Sequence, residues 1–281
     1  MSSERREPAG AVRLRTAFEQ RNARGSAALI PFLAAGDPDV ATTIALARAA
    51  ADAGADVIEL GVPYSDPLAD GPVIQAAYSR ALRTGLRLAE VFACARDVVA
   101  STRLPVVLMC SSNMVLARGV EEFCTAAAAA GVAGLIVPDL PLDEAAALRD
   151  VAAAADLALI LLVAPDTPAE RAERIARASS GFVYLVRRRG VTGAGAAADE
   201  TGTRARRLAA AGGLPVAVGF GITTAEDARA AAVEADGVII GSALVELAHR
   251  ADSTAVGAAV ASLRHAIDSA RKSPIAARSR A

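Results

Sequence analysis

The sequence predicts a single α/β domain, an eight-stranded parallel (β/α)8 TIM barrel with an extra N-terminal helix, and three observations carry that expectation. Eight short apolar segments recur along the chain from Ala28 onward. Each is nearly continuous in its hydrophobicity rather than alternating, as expected of strands covered on both faces. Alanine-rich helical stretches separate them, and 53% of the 281 residues are hydrophobic, which suits one large core. Strand and helix alternating eight times in one domain favour a closed parallel barrel over an open doubly wound sheet.

In chain order, residues 1–11 read as a disordered polar tail, and a helix over 11–23 is expected to carry Val12, Leu14 and Phe18 on one side. A strand over Ala28 to Leu33 leads through Ala34-Ala35-Gly36-Asp37-Pro38 into a helix over about 41–53. Further strands are expected at 56–61, 105–109, 134–138, 157–163, 181–186, 215–219 and 237–241, with helical stretches such as 119–130, 143–155 and 168–178 before them. The alanine tracts within those stretches are strong helix formers. No linker splits the chain, so the catalytic barrel is expected over 12–270, followed by a tail at 271–281.

The chain's organising stretch runs from Val57 to Gln75, where a short buried strand ends in a loop rich in Gly and Pro. Glu59 lies inside the strand. A carboxylate there is costly to bury unless paired or used, and burial raises its pKa toward the range useful for proton transfer. Asp70 follows, just before a helix that Pro72 can open. Two carboxylates on one strand-loop unit fit paired acid/base work. They equally fit a salt-bridged barrel interior with Asp66 and Asp70 shaping turns.

Composition narrows the chemistry. A formal charge of −1 implies no polyanion partner. The only lysine, Lys272, lies in the tail, so a strand-end Schiff base is not available. His249 and His265 are the only histidines, and Cys94, Cys110 and Cys124 have no metal-binding spacing, so no metal is expected. An odd cysteine count with no signal peptide points to a reducing cytoplasm, and no apolar run approaches the ~20 residues that span a bilayer.

In such a barrel the working residues sit at the C-terminal ends of the strands. Of the nine aromatic residues, Phe32, Tyr64, Tyr184 and Phe220 fall at or just after strand ends, which a flat apolar ligand would account for, as would core packing for any single one. Gly219-Phe220-Gly221 after the seventh strand and Gly241-Ser242 after the eighth are where such barrels hold a phosphate on backbone N–H groups. Gly190 to Gly195 suits a lid over the mouth, or a plain flexible loop.

Together these pieces resemble the tryptophan synthase alpha chain family. The run Glu59-Leu60-Gly61-Val62-Pro63-Tyr64-Ser65-Asp66-Pro67-Leu68-Ala69-Asp70-Gly71-Pro72 is close to that family's signature. Supporting matches are Pro31-Phe32, Gly36-Asp37-Pro38, Val137-Pro138-Asp139-Leu140-Pro141, Tyr184, Gly190-Val191-Thr192-Gly193, Gly219-Phe220-Gly221-Ile222 and Gly241-Ser242. The resemblance implies a carbon-carbon lyase that cleaves indole-3-glycerol phosphate to indole and glyceraldehyde 3-phosphate by a retro-aldol reaction. Glu59 would be the acid/base at indole C3 and the glycerol hydroxyl, and Asp70 would take or stabilise the indole N–H proton. Phe32, Tyr184 and Phe220 would surround the indole, while Gly193, Gly221, Gly241 and Ser242 would hold the phosphate. The resemblance also implies no cofactor in this chain and a beta subunit carrying pyridoxal phosphate as partner in an alpha2beta2 tetramer for tryptophan biosynthesis.

Three departures stand out. Ser111-Ser112-Asn113 replaces a segment that usually has tyrosine before the asparagine, Arg187-Arg188-Arg189 replaces a single arginine in the lid, and Ala34 replaces a frequent threonine. They keep two alternatives in view: a stand-alone lyase releasing indole for specialised metabolism, and a non-catalytic paralogue acting as a binding partner.

Overall fold

The computed structural model describes residues 6–67, 70–187 and 196–270. Its parallel strands are β1 (Ala28–Ala34), β2 (Ile58–Gly61), β3 (Val106–Met109), β4 (Gly134–Ile136), β5 (Ala158–Ile160), β6 (Leu162–Val163), β7 (Val183–Val186), β8 (Val216–Gly219) and β9 (Gly237–Ile240). Their lateral order is β5-β4-β3-β2-β1-β9-β8-β7-β6. The two outermost strands are consecutive pieces of one segment, divided only at Leu161. β5 pairs with β4 and β6 with β7, so the segment expected as one strand over 157–163 brings the sheet around into a barrel. The Leu159 and Leu161 carbonyls accept from the Ser180 and Tyr184 N–H groups at 2.9 and 3.2 Å, carrying the pairing past the division. The eight expected strands are present, and the ninth is a subdivision of the fifth.

The helices are α1 (Ala9–Asn22), α2 (Val40–Asp52), α3 (Pro72–Arg83), α4 (Leu88–Thr102), α5 (Ser112–Arg118), α6 (Val120–Ala129), α7 (Ala145–Ala154), α8 (Ala169–Ala178), α9 (Ala196–Gly212), α10 (Ala225–Glu234), α11 (Ser242–Arg250) and α12 (Ser253–Asp268). Strand alternation divides the apolar residues into two layers. Leu29 and Leu33 of β1 and Ile58 and Leu60 of β2 face the helices, whereas Ile30 and Phe32 join the barrel interior.

α1 begins at Ala9, inside the stretch expected as tail, and closes the barrel floor. The expectation for Val12 fails: it is exposed, while Gly10, Ala11, Leu14 and Phe18 are buried. Leu14 and Phe18 are one helical turn apart and share a face, whereas Val12 points well away from it. Phe18 meets Phe182 with ring centroids 5.2 Å apart, and each is fully buried. Burying each such ring is worth about 2–3 kcal/mol. The close seat depends on Gly10, whose added Cβ would lie 1.9 Å from the Ala133 carbonyl oxygen. Gly10→Ala is therefore expected to destabilise the fold by about 1–3 kcal/mol, read as a lower urea midpoint. An unchanged midpoint would show that this contact does not hold α1 to the floor.

The opposite end of α1 is tied by charge. Arg21 Nε and Arg264 Nη1 both reach Asp56, at 2.5 and 3.2 Å, and Asp56 also accepts the Leu29 N–H at 2.9 Å. One carboxylate thereby joins α1, α12, β1 and the entry to β2. The expected tails at 1–11 and 271–281 fall mostly outside the described residues.

Candidate active site

The site is built at the C-terminal ends of the strands. In β2, Glu59 and Gly61 project inward because Ile58 and Leu60 take the helix-facing positions. Glu59 lies level with Phe32 of β1 and Val107 of β3. Its neighbour Gly61 is required: a Cβ there would come within 2.4 Å of both the Phe32 ring and the Tyr78 hydroxyl. Glu59 is only 1% exposed, and its Oε2 has no hydrogen-bond partner. Among the described residues no ion pair reaches Glu59, in contrast to the salt-bridged alternative. Burial, and then the charge of Asp70, push the Glu59 carboxyl up to about 8. Desolvation works against the charged form, and among the described residues no cation offsets it.

Asp70 precedes the Gly71 N-cap of α3, whose first residue is the helix-opening Pro72. The Asp70 N–H donates to the Pro67 carbonyl at 3.1 Å, and its own carbonyl accepts from Gln75 Nε2 at 2.8 Å, so neither contact that holds the turn uses the carboxylate. Burial raises that carboxyl to about 6. α3 is held to the loop after β1 by a bidentate pair, Arg80 Nε and Nη2 to Asp37 at 2.8 and 2.7 Å.

Both carboxylates line one cavity of about 340 Å3. Phe32, Tyr184 and Phe220 form its apolar wall with Met109, Ile74 and Ile239. Tyr184 and Phe220 are 6.0 Å apart between ring centroids. Phe220 adopts φ 71° and Gly221 φ 70°, two successive left-handed residues that turn the chain sharply after β8. In a non-glycine residue that conformation costs on the order of 1 kcal/mol and is typical of functional loops. Gly221, Gly241 and Ser242 line the same cavity. α10 is capped by its own side chains, since Asp227 accepts from the Thr223 and Thr224 N–H groups and Thr224 Oγ1 accepts from the Asp227 N–H. α11, starting at Ser242, has no side-chain cap, so its first N–H groups are available to an anion.

Of the expected site residues, Gly193 lies outside the described residues, as does the expected lid over 190–195. Tyr64 lies apart from the main cavity, with Asp66 in a smaller neighbouring one of about 80 Å3. Ser111 and Ser112 both engage Asp139: Ser111 Oγ donates at 2.7 Å, and the Ser112 N–H and Oγ at 2.8 and 3.0 Å. The sequence reading missed Tyr78. It is buried on α3, and burial together with Asp70 and Glu59 raises its phenol well above the ordinary value, so it stays neutral beside the two acids. Its one sequence signal is helical spacing with Ile74, Ala77 and Ala81, which reads equally well as core.

Other chemistries find little support in the side chains. The three cysteines are free and buried, and burial pushes Cys94 and Cys124 up to about 12 and about 11. Among the described residues no group of three His, Cys, Asp or Glu side chains could hold a metal ion.

Comparison with known proteins agrees with this geometry. The chain is 52% identical over 231 residues to the tryptophan synthase alpha chain of Prochlorococcus marinus (strain MIT 9313), covering 82% of this chain and 84% of that one. It is 50% identical over 236 residues to the alpha chain of Synechocystis sp., covering 82% and 88%. It superposes on a structure of tryptophan synthase from M. tuberculosis with a TM-score of 0.83 at 36% identity, covering 91% and 98%. The tryptophan synthase subunit alpha from Legionella pneumophila gives 0.81 at 36%, also covering 91% and 98%. A family model described as tryptophan synthase alpha chain matches residues 18–271, so that the signature around Glu59 and Asp70, the barrel and the overall sequence all lead to one assignment: this chain belongs to the tryptophan synthase alpha chain family.

Proposed function

We propose that the cavity cleaves indole-3-glycerol phosphate to indole and glyceraldehyde 3-phosphate, with Glu59 and Asp70 as its catalytic pair. The observation that carries this reading is Glu59 itself: buried, unpartnered at Oε2 and raised to about 8, it holds a proton at neutral pH inside an apolar cavity. Glu59 gives that proton to indole C3, and the ring becomes an electron sink. Asp70 stabilises the N–H as positive charge develops on nitrogen. The Glu59 carboxylate then takes the proton of the glycerol hydroxyl next to the ring, the carbon-carbon bond breaks, its electrons restore the indole, and the aldehyde leaves. Glu59 ends protonated as it began.

Phe32, Tyr184 and Phe220 exclude water from the ring, and Gly221, Gly241, Ser242 and Gly193 receive the phosphate. Ser242→Asp is expected to raise KM by about tenfold or more through like-charge repulsion, with a smaller effect on kcat. An unchanged KM would move the phosphate away from the start of α11.

The chain needs no cofactor of its own for these steps. Its indole passes to a beta subunit carrying pyridoxal phosphate, in an alpha2beta2 assembly for tryptophan biosynthesis. The segment around Asp139, held by Ser111 and Ser112, faces that partner. We assign the protein to the cytoplasm, in keeping with its free cysteines; no described helix is long and apolar enough to cross a membrane. Indole release from the pure chain, measured with and without the beta subunit, tests the reading. The expected result is a slow intrinsic rate that rises on complex formation. No release in either case would overturn it, and fast release with no complex would select a stand-alone lyase.

A further inference from the structure

The smaller cavity beside the reaction site belongs to no chemical step described above, although its wall includes Asp139, from the segment assigned above to the partner contact. It shares Asp70 and Met109 with the main cavity but is not lined by Glu59. It therefore lies on the side of Asp70 remote from the reacting carbon. Its wall is small or polar at Cys110, Ser111 and Asn113, with the hydroxyl-bearing rings of Tyr64 and Tyr78 completing it. Asn113 Nδ2 donates to the Tyr64 hydroxyl at 3.1 Å, and Ser111 Oγ is turned to Asp139 at 2.7 Å, so the wall is braced by hydrogen bonds of its own. Ser111 stands where the family resemblance leads one to expect tyrosine, and replacing a phenol ring by a hydroxymethyl group is what leaves space at this end of β3.

The geometry points to a substituent subsite: we propose that this chain accepts indole rings bearing a compact group, methyl, halogen or hydroxyl, on the benzo carbon next to the nitrogen (position 7). The inference rests on the assignment of the indole N–H to Asp70. With the N–H directed at Asp70, the ring carbon on one side of nitrogen turns back toward C3 and Glu59. On the other side, the benzo carbon at position 7 turns past Asp70 toward the second cavity. A volume of about 80 Å3 gives room for a compact group such as methyl, halogen or hydroxyl beside the ring. A methyl-sized group that fits or fails to fit changes kcat/KM by about 10-fold or more, so a rate comparison can read the subsite directly.

The test runs the reaction toward synthesis with the full-length chain, joining glyceraldehyde 3-phosphate to indole or 7-methylindole. Indole C3 adds to the aldehyde carbon, the C3 proton is lost and the aldehyde oxygen is protonated, so no other reactant is needed. The expected result is a kcat/KM for 7-methylindole within about threefold of that for indole. Ser111→Tyr, which refills the space, is expected to lower the ratio of 7-methylindole to indole by about tenfold or more, and Ser111→Leu to lower it by less. Because both readouts are ratios taken on one preparation, a general loss of fold or activity does not imitate the effect, and Ser111→Leu covers the case in which the tyrosine variant fails to fold. Turnover of indole with 7-methylindole rejected, or a ratio that neither variant moves, would overturn the subsite. Failure of indole itself to react would instead overturn the catalytic reading on which it depends.

Discussion

Glu59→Gln is expected to lower kcat for indole formation by at least about 10²-fold while raising the stability of the fold at pH 8. The two effects share one cause. In the native barrel Glu59 is shielded from water with no cation beside it among the described residues, and its carboxyl is raised from 4.5 to about 8. The folded state therefore binds the proton more tightly than the unfolded chain. Below about pH 4.5 both states hold it and Glu59 costs nothing. As pH rises from there toward 8 the unfolded chain ionises freely while the native carboxyl does not, so stability falls across that window and levels off above it. A tenfold difference in proton affinity between the two states corresponds to about 1.4 kcal/mol, so the glutamine variant gains a few kcal/mol at pH 8 and little at pH 4. Glutamine keeps the size of the side chain but has no proton to give to carbon. Urea midpoints at the two pH values, together with indole release, check both halves. Near-normal turnover would remove Glu59 from the acid/base role, and a lower midpoint at pH 8 would mean that the native site stabilises the charge.

The same conflict between burial and charge explains why a candidate site could be read from the sequence. A glutamate inside an apolar strand breaks the local rule for buried residues, and such violations concentrate where function requires them. The barrel was legible for a similar reason, since continuous apolar strands separated by helical alanine tracts leave few other ways to cover every strand face. Three features were not legible. The division of the fifth strand at Leu161 arises from closure, because one segment must pair with β4 over its first half and β7 over its second. The orientation of α1 depends on how close Gly10 and Phe18 can approach the strand ends, and neither contact leaves a periodic signal that outweighs Val12. Tyr78 reads as a core residue of α3, and only the absence of a side chain at Gly61 brings its hydroxyl to the acids. In each case tertiary approach distance, which no local pattern encodes, decides the outcome.

Asp70→Asn is the companion change and should be read by pH profile as well as by rate. In the native protein burial raises the Asp70 carboxyl to about 6, and Asp70 in turn helps to raise Glu59 to about 8. The proposed reaction uses Asp70 ionised and Glu59 protonated. The pH profile of kcat/KM is therefore expected to rise through about 6 as Asp70 loses its proton and to fall through about 8 as Glu59 loses its own. Asparagine can still accept the indole N–H through its carbonyl oxygen, but it supplies no charge to stabilise the cationic ring and cannot take the proton. A loss of about 10²-fold in kcat is expected, with the limb near 6 abolished. The second limb should move below 8, because the variant no longer places a negative charge beside Glu59. A merely structural Asp70 would give a lower rate with both limbs in place, since shaping the turn before Pro72 has no proton to lose near pH 6. Loss of one limb and downward movement of the other, in a chain that still folds, is the outcome that only a paired acid and base produces.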